Sequence, residues 1–161
     1  IHRRSKGLLD FVNNYRKLTR IPQPQCEVIS VQEYFNDLME FYGQRLRCNA
    51  TPSTLEVNAD PRLLMQVLVN LVNNASEAGP GPIDINVARN ANGHIEISVR
   101  DYGQGILPEV INSIFIPFFT TKPQGSGIGL SLCKQIIQRH GGRISVKSQP
   151  QHGSVFTITL P

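Results

Sequence analysis

Apolar positions recur with helical spacing in four stretches of the chain, and five shorter stretches between and after them read as strands. Over residues 1–20, Ile1, Ser5, Leu8, Val12, Tyr15 and Thr19 fall alternately four and three apart, a partial heptad seam widened by Leu9, Phe11 and Leu18. The spacing predicts a helix. Pro22 and Pro24 cannot continue it, so residues 21–25 are expected to form a short stiff linker at a domain boundary. A helix with so broad an apolar seam wants a partner, which makes the segment half of a truncated helical hairpin. The plainer alternative is a terminal helix folded on the domain.

Ser30 followed three residues later by Glu33 has the form of a capping box, and Val31, Tyr34, Phe35, Leu38, Met39 and Tyr42 give an apolar face to a helix over about 31–46. Ser53 to Asn58 reads as a strand. Asp60 and Pro61 open the next helix, an acid at the cap and a proline at the first helical position, and Gly79-Pro80-Gly81-Pro82 stops it after Ala78. Ile83 to Val87 and His94 to Arg100 alternate apolar with polar, and Asn90 to Gly93 turns between them, predicting a hairpin with one apolar face. A helix over about Gly129 to His140 ends at Gly141-Gly142, and Arg143 to Ser148 pairs with Val155 to Leu160 in a last hairpin. Helices on one face of a mixed, mostly antiparallel sheet make an α+β fold, a two-layer α/β sandwich over residues 26–161 with the N-terminal helix added.

Composition narrows the functional classes. With 161 residues, 40% hydrophobic and 17% charged, the chain can bury a core and is far from a disordered composition. Its longest nearly apolar stretch, Leu63 to Val72, is broken by Gln66 and Asn70 and falls well short of the roughly 20 residues that span a bilayer. The basic N-terminus leads into an amphipathic segment, not the continuous apolar run of a signal peptide. Cys26, Cys48 and Cys133 form neither a disulfide framework nor a zinc site, which predicts a reducing, cytoplasmic setting. The net charge is +4, but residues 1–20 carry six Lys and Arg against Asp10 alone, leaving the remainder slightly acidic. A nucleic-acid module would carry its surplus on the folded body, so nucleic acid is not the expected partner.

On the helix from Pro61, Leu64, Val67, Leu68, Leu71, Ala75 and Ala78 form the buried stripe, while Gln66, Asn70, Asn73, Asn74 and Glu77 take the other side. A solvated face ordinarily uses Lys, Glu or Arg, because Asn costs up to about 0.7 kcal/mol against Ala in helix propensity. Three Asn in five positions mark either a site or a polar face meeting a loop. Asn70 and Asn74, four apart, offer neutral carbonyl oxygens, a hard ligand type suited to Mg²⁺ beside a polyphosphate. Asp101-Tyr102-Gly103-Gln104-Gly105-Ile106 follows an alternating strand directly. A carboxylate there could accept from an exocyclic amine while the glycines make room for a ring, although an Asp-Gly turn has the same letters. Gly125-Ser126-Gly127-Ile128-Gly129 precedes a helix whose free N–H groups and dipole suit phosphate. It is not a P-loop, since Lys122 precedes the glycines, nor a dinucleotide fingerprint, since Pro123-Gln124 replaces the apolar strand. Phe115, Pro117, Phe118 and Phe119 form an apolar anchor ahead of Thr120-Thr121-Lys122.

In order and spacing, Asn70–Asn74, Asp101-x-Gly103-x-Gly105, Phe118-Phe119-Thr120-Thr121-Lys122 and Gly125-x-Gly127-x-Gly129 closely resemble the N box, first glycine box, F box and second glycine box of sensor histidine kinases. The resemblance covers about residues 27–161. It implies the ATP-binding fold shared with type II topoisomerases, mismatch-repair ATPases and the ninety-kilodalton heat-shock chaperone. By that resemblance Asp101 would accept from adenine N6, with Gly103 and Gly105 beside the ring and the Ser154 hydroxyl near it. Asn74 would bind Mg²⁺ and Asn70 would lie beside the phosphates. Thr121 and Lys122, with the loop from Gly125, Ser126, Gly127, Ile128 and Gly129 to Leu130, would hold the polyphosphate. Asn70 and Lys122 are then the catalytic residues. The implied partners are ATP or ADP, the dimerisation and phosphoacceptor helices of the same protein in a homodimer, and the receiver domain of a response regulator. Residues 1–20 resemble the second helix of that hairpin, and the cytoplasmic setting is compatible with the cytoplasmic part of a membrane-anchored sensor that itself makes no membrane contact.

Two departures qualify the resemblance. Glu77 stands where many such kinases have Lys, which resembles the nitrogen-sensor subgroup and removes a phosphate contact, and five residues between Phe119 and Gly125 make a short lid. No phosphoacceptor His is evident either: His2 sits beside Arg3 and Arg4 where the family favours an acid, on what resembles the second hairpin helix. Alternative readings are an ATP hydrolase or ATP-driven clamp of the same superfamily, or a nucleotide-binding regulatory module. The hydrolases keep a Glu general base four residues before the Mg²⁺-binding Asn, whereas residue 70 is Asn, which cannot take a proton from water.

Overall fold

The computed structural model describes residues 2–122 and 125–161, with side chains from residue 4 onward. Ile1, the His2 side chain and Pro123-Gln124, which the sequence readings used, lie outside the described residues. The elements are α1 (His2–Thr19), β1 (Glu27–Ser30), α2 (Val31–Tyr42), β2 (Leu46–Thr51), β3 (Glu56–Ala59), α3 (Pro61–Ala78), β4 (Ile83–Arg89), β5 (Ile95–Asp101), α4 (Gly129–Arg139), β6 (Arg143–Gln149) and β7 (Gly153–Leu160).

Alternation in the strands decides which face is covered. Ile83, Ile85 and Val87 of β4, Ile95, Ile97 and Val99 of β5, and Phe156 and Ile158 of β7 are buried, whereas the residues between them on β4 and β5 are not. The five-stranded sheet runs β2-β4-β5-β7-β6, with β2 parallel to β4 and every other pair antiparallel, and β1 and β3 form a separate antiparallel pair. Helices α2, α3 and α4 pack against the large sheet. Each fully buried Ile or Leu contributes about 1.5–3 kcal/mol, and α3 supplies Leu64, Val67, Leu68, Leu71 and Val72 to this layer.

The start of α3 follows its sequence signal. Asp60, 2% exposed, accepts from the Arg62 and Leu63 N–H groups at 3.0 and 3.2 Å and from the Gln25 N–H at 2.9 Å. Its own N–H donates to His140 Nε2 at 3.0 Å, and His140 Nδ1 lies 2.8 Å from the Ile136 carbonyl. An accepting Nε2 requires the neutral ring with its proton on Nδ1, so α3 and the end of α4 are tied through one tautomer.

Three expectations need correction. The helix over 31–46 stops at Tyr42, because Gly43 adopts φ +74°, and after a short 3₁₀ turn β2 begins at Leu46. The capping box does not form. Ser30 caps α2 without a side-chain bond, since it also sits in β1 opposite Glu56 and the Val31 N–H donates to the Leu55 carbonyl at 3.1 Å. The strand expected from Ser53 begins only at Glu56, as the Leu55 N–H closes a turn onto the Pro52 carbonyl at 3.0 Å.

Helix α1 packs on α4 through its C-terminal end, where Leu18 joins the core together with Ile21 of the following irregular segment. Its seam residues Leu8, Leu9, Phe11, Val12 and Tyr15 remain exposed.

Candidate nucleotide-binding site

Beside its buried stripe, α3 carries Asn70 and Asn74, both half-buried, and the exposed Gln66, Asn73 and Glu77. The three Asn are not equivalent. Asn73 accepts from the Tyr42 hydroxyl at 2.8 Å and belongs to the α2 contact. Asn70 faces the start of α4: a Cβ added at Gly129 would stand 3.4 Å from its Oδ1. Asn74 accepts from Lys122 Nζ at 3.3 Å, and the same Nζ makes an ion pair with Glu77. The lid lysine therefore reaches across the face on which the sequence places polyphosphate and Mg²⁺. Among the described residues no three His, Cys, Asp or Glu cluster to hold a metal. A single amide oxygen fits Mg²⁺ bound chiefly by phosphate oxygens and water, the usual arrangement for that ion.

The first turn of α4 supplies donors. Its leading N–H groups have no intrahelical acceptor; Gly125 and Ser126 just before them are exposed, as is Thr121, while Ile128 is buried and Leu130 half-buried. Ile128 and Leu130 thus offer backbone, with their side chains against the core. The loop is held by Phe118, whose N–H donates to the Gly127 carbonyl at 2.8 Å although its own φ is +68°. Gly127, at φ +73°, has no room for a Cβ, which would lie 2.4 Å from the Phe118 carbonyl carbon. The Phe118 ring stacks on Phe11 of α1 with centroids 4.9 Å apart, so the N-terminal helix touches the lid.

Asp101 closes β5, opposite Ser154 of β7, and is 6% exposed. Burial raises its pKa, and the Gly103 and Ser154 N–H groups oppose that rise without cancelling it. The Ser154 hydroxyl lies 2.8 Å from Ser148 Oγ, whose proton goes to the Gly153 carbonyl at 3.0 Å. Ser154 is then the donor of that pair, and only its lone pairs are free for a ligand.

The glycines after Asp101 are also required by the packing of the protein's own backbone. A Cβ at Gly103 would stand 2.3 Å from the Ala78 carbonyl oxygen, and one at Gly105, where φ is +73°, 2.2 Å from that of Gln149. Gly103 lets the loop cross the C-terminal end of α3, where the Gln104 N–H also donates to the Ala78 carbonyl at 3.1 Å. Arg45, which sequence reasoning missed, caps the same end, donating to the carbonyls of Gly81 at 2.9 Å, Ser76 at 3.4 Å and Gly79. No local signal marks it, because it comes from a turn distant in sequence.

Residues 59–161, which contain Asn70, Asn74, Asp101, Lys122 and the 125–130 segment, match the family model of the histidine kinase-, DNA gyrase B-, and HSP90-like ATPase. The chain belongs to that family. It is 43% identical over 119 residues to the sensor histidine kinase ZraS of Salmonella typhimurium (strain LT2), covering 73% of this chain and 26% of that protein. Against sporulation kinase A of Bacillus subtilis (strain 168) the identity is 32% over 152 residues, 93% of this chain and 24% of the relative. The ATPase domain thus spans about a quarter of the length of these relatives. Its fold is that of histidine kinase catalytic domains: nucleotide-free ThkA superposes with a TM-score of 0.75 at 33% identity, over 85% of this chain and 95% of that one. Full-length ShkA in complex with AMPPNP gives a TM-score of 0.83 at 22% identity, over 96% and 36%.

In this histidine kinase-like ATPase domain the exposed Glu77–Lys122 pair competes with any phosphate for the lysine. Glu77→Gln is expected to tighten ATP binding by up to about fivefold at low salt, the scale of a surface ion pair of 0.2–1 kcal/mol, with the gain shrinking as salt rises. Calorimetric titrations at two ionic strengths check it, and weaker binding in the variant would contradict it.

Proposed function

We propose that this domain is the ATP-binding catalytic domain of a sensor histidine kinase, passing the γ-phosphoryl group to a histidine on a dimerisation hairpin and thence to an aspartate of a response regulator. The supporting observation is the alignment of Asn70 and Asn74 on one face of α3, with Lys122 bonded to Asn74, the start of α4 beside Asn70 and Asp101 buried at the end of β5. The Asp101 carboxylate accepts from the adenine amine and fixes the ring. Lys122 exchanges Glu77 for phosphate, and the N–H groups of the 125–130 segment share the negative charge. Bound Mg²⁺, with Asn74 among its ligands, would supply charge neutralisation at the phosphates. Asn70 positions the terminal phosphate and takes no proton, because phosphoryl transfer to histidine depends on positioning and electrostatics.

In this reading α1 is the second helix of the hairpin, and its exposed Leu8, Leu9, Phe11, Val12 and Tyr15 meet the first helix in a homodimer. The setting is cytoplasmic, with no role for nucleic acid. Among the described residues no helix is long and apolar enough to cross a membrane. Incubation with γ-labelled ATP and Mg²⁺ tests the assignment. The chain alone is expected to take no stable label, and addition of the protein's dimerisation hairpin to produce acid-labile label on the hairpin. Label on His2, or none on the hairpin, would overturn it.

A further inference from the structure

The polar face of α3 does not end at Asn70. A cavity of about 470 Å³ opens from it toward the N-terminal end of the helix; its floor is apolar, and its polar lining comes from Asn70, Gln66 and Arg62 of α3, Asn14 and Lys17 of α1, and Ser126 before α4. No acidic residue lines it. Lys17 and Arg62 make no ion pair among the described residues.

We propose that Lys17 and Arg62 bind the terminal phosphate of ATP, so that α1 completes the nucleotide site. The inference rests on the nucleotide reading above and adds two residues that lie outside every motif. Asn74, Asn70, Gln66 and Arg62 are successive fourth residues of α3, each about 6 Å further along the helix. A triphosphate anchored at Asn74 reaches Asn70, which lines the cavity, with its third phosphate. Charge requires something there. Lys122 Nζ lies at Asn74 and Glu77 and does not line the cavity, so the end of the polyphosphate that enters it meets no cation from the lid. Lys17 supplies a point charge, Arg62 a planar fork matched to phosphate oxygens, and Asn14 and Gln66 neutral donors. Lys17 is placed by its neighbour Leu18, which is buried in the core. An adenosine diphosphate would stop short of the cavity, so these residues distinguish ATP from ADP.

Both cations are exposed and can be replaced without opening the core. The test is calorimetric titration of Mg·ATP and Mg·ADP into the parent, Lys17→Gln, Arg62→Gln and, as a charge-matched control outside the cavity, Lys147→Gln. Each cavity variant is expected to lose about tenfold in ATP affinity, the scale of a lost charge-assisted hydrogen bond, with ADP affinity unchanged within twofold and the control unaffected for both. ATP and ADP affinities that fall together, or an ATP/ADP ratio equal to that of the parent, would overturn the proposal and leave the nucleotide reading standing. A parent that binds neither nucleotide would remove both.

Discussion

Replacing Asp101 by Asn is expected to weaken ADP binding by about 1–3 kcal/mol, roughly five- to 150-fold, the cost of spoiling a buried hydrogen bond to a charged group. The side chain keeps its shape and can still accept from the Gly103 N–H, at 3.0 Å in the parent. It then presents an NH₂ to the adenine NH₂, and two donors cannot pair. Thermal stability should hardly change, because burial already works against the charge at this position and lifts its pKa. The same shift fixes the sign of the pH effect. Adenine needs the carboxylate, so ADP affinity should fall on the acid side, beginning at a pH above the ordinary aspartate value of about 3.9. Equal affinity in variant and parent would take Asp101 out of the site.

Gly103→Ala is expected to damage both stability and binding. The new Cβ would lie 2.3 Å from the Ala78 oxygen, 2.6 Å from its carbon and 2.9 Å from its side chain, so backbone must move. Forcing a methyl into a filled contact costs about 1–3 kcal/mol, or several degrees in melting temperature. Moving this loop also withdraws the Gly103 N–H from Asp101, so ADP affinity falls as well. Gly7→Ala on α1, with nothing within 4 Å of the added methyl, is the control and should melt like the parent or slightly higher. A Gly103→Ala variant with parental melting and ADP affinity would contradict the role given to this crossing.

What could be read in advance was whatever depends on local chemistry. The Asp60 cap, the Pro61 start, the Asn90–Gly93 turn and the alternating β4 and β5 all have causes within a few residues, and all form. Strands β1 and β2 escaped notice. β1 is four residues long, and β2, Leu46-Arg47-Cys48-Asn49-Ala50-Thr51, buries only small or isolated apolar side chains at the edge of the sheet. Gln44, Arg45 and Leu46 continue the helical period past Gly43, so periodicity alone overran the stop. At the site, the order and spacing of the motifs singled out candidate residues but could not give their contacts. Glu77 with Lys122, Phe11 with Phe118, and Gly103 with Ala78 each join positions brought together only by packing. At Gly103 the residue was legible but its contact with Ala78 was not, because that contact is made only when the loop packs across the end of α3.

This site is expected to bind Mg·ATP for transfer rather than hydrolysis, because Asn70 stands where a hydrolase would need a general base. Isothermal calorimetry of Mg·ATP into the purified chain tests it in a single measurement, since binding gives saturable heats and turnover a persistent one. Saturable binding at one site with no continuing heat is expected. Heat that continues at a turnover of about 1 s⁻¹ or more, and is abolished by Asn74→Ala, would contradict it in favour of an ATPase.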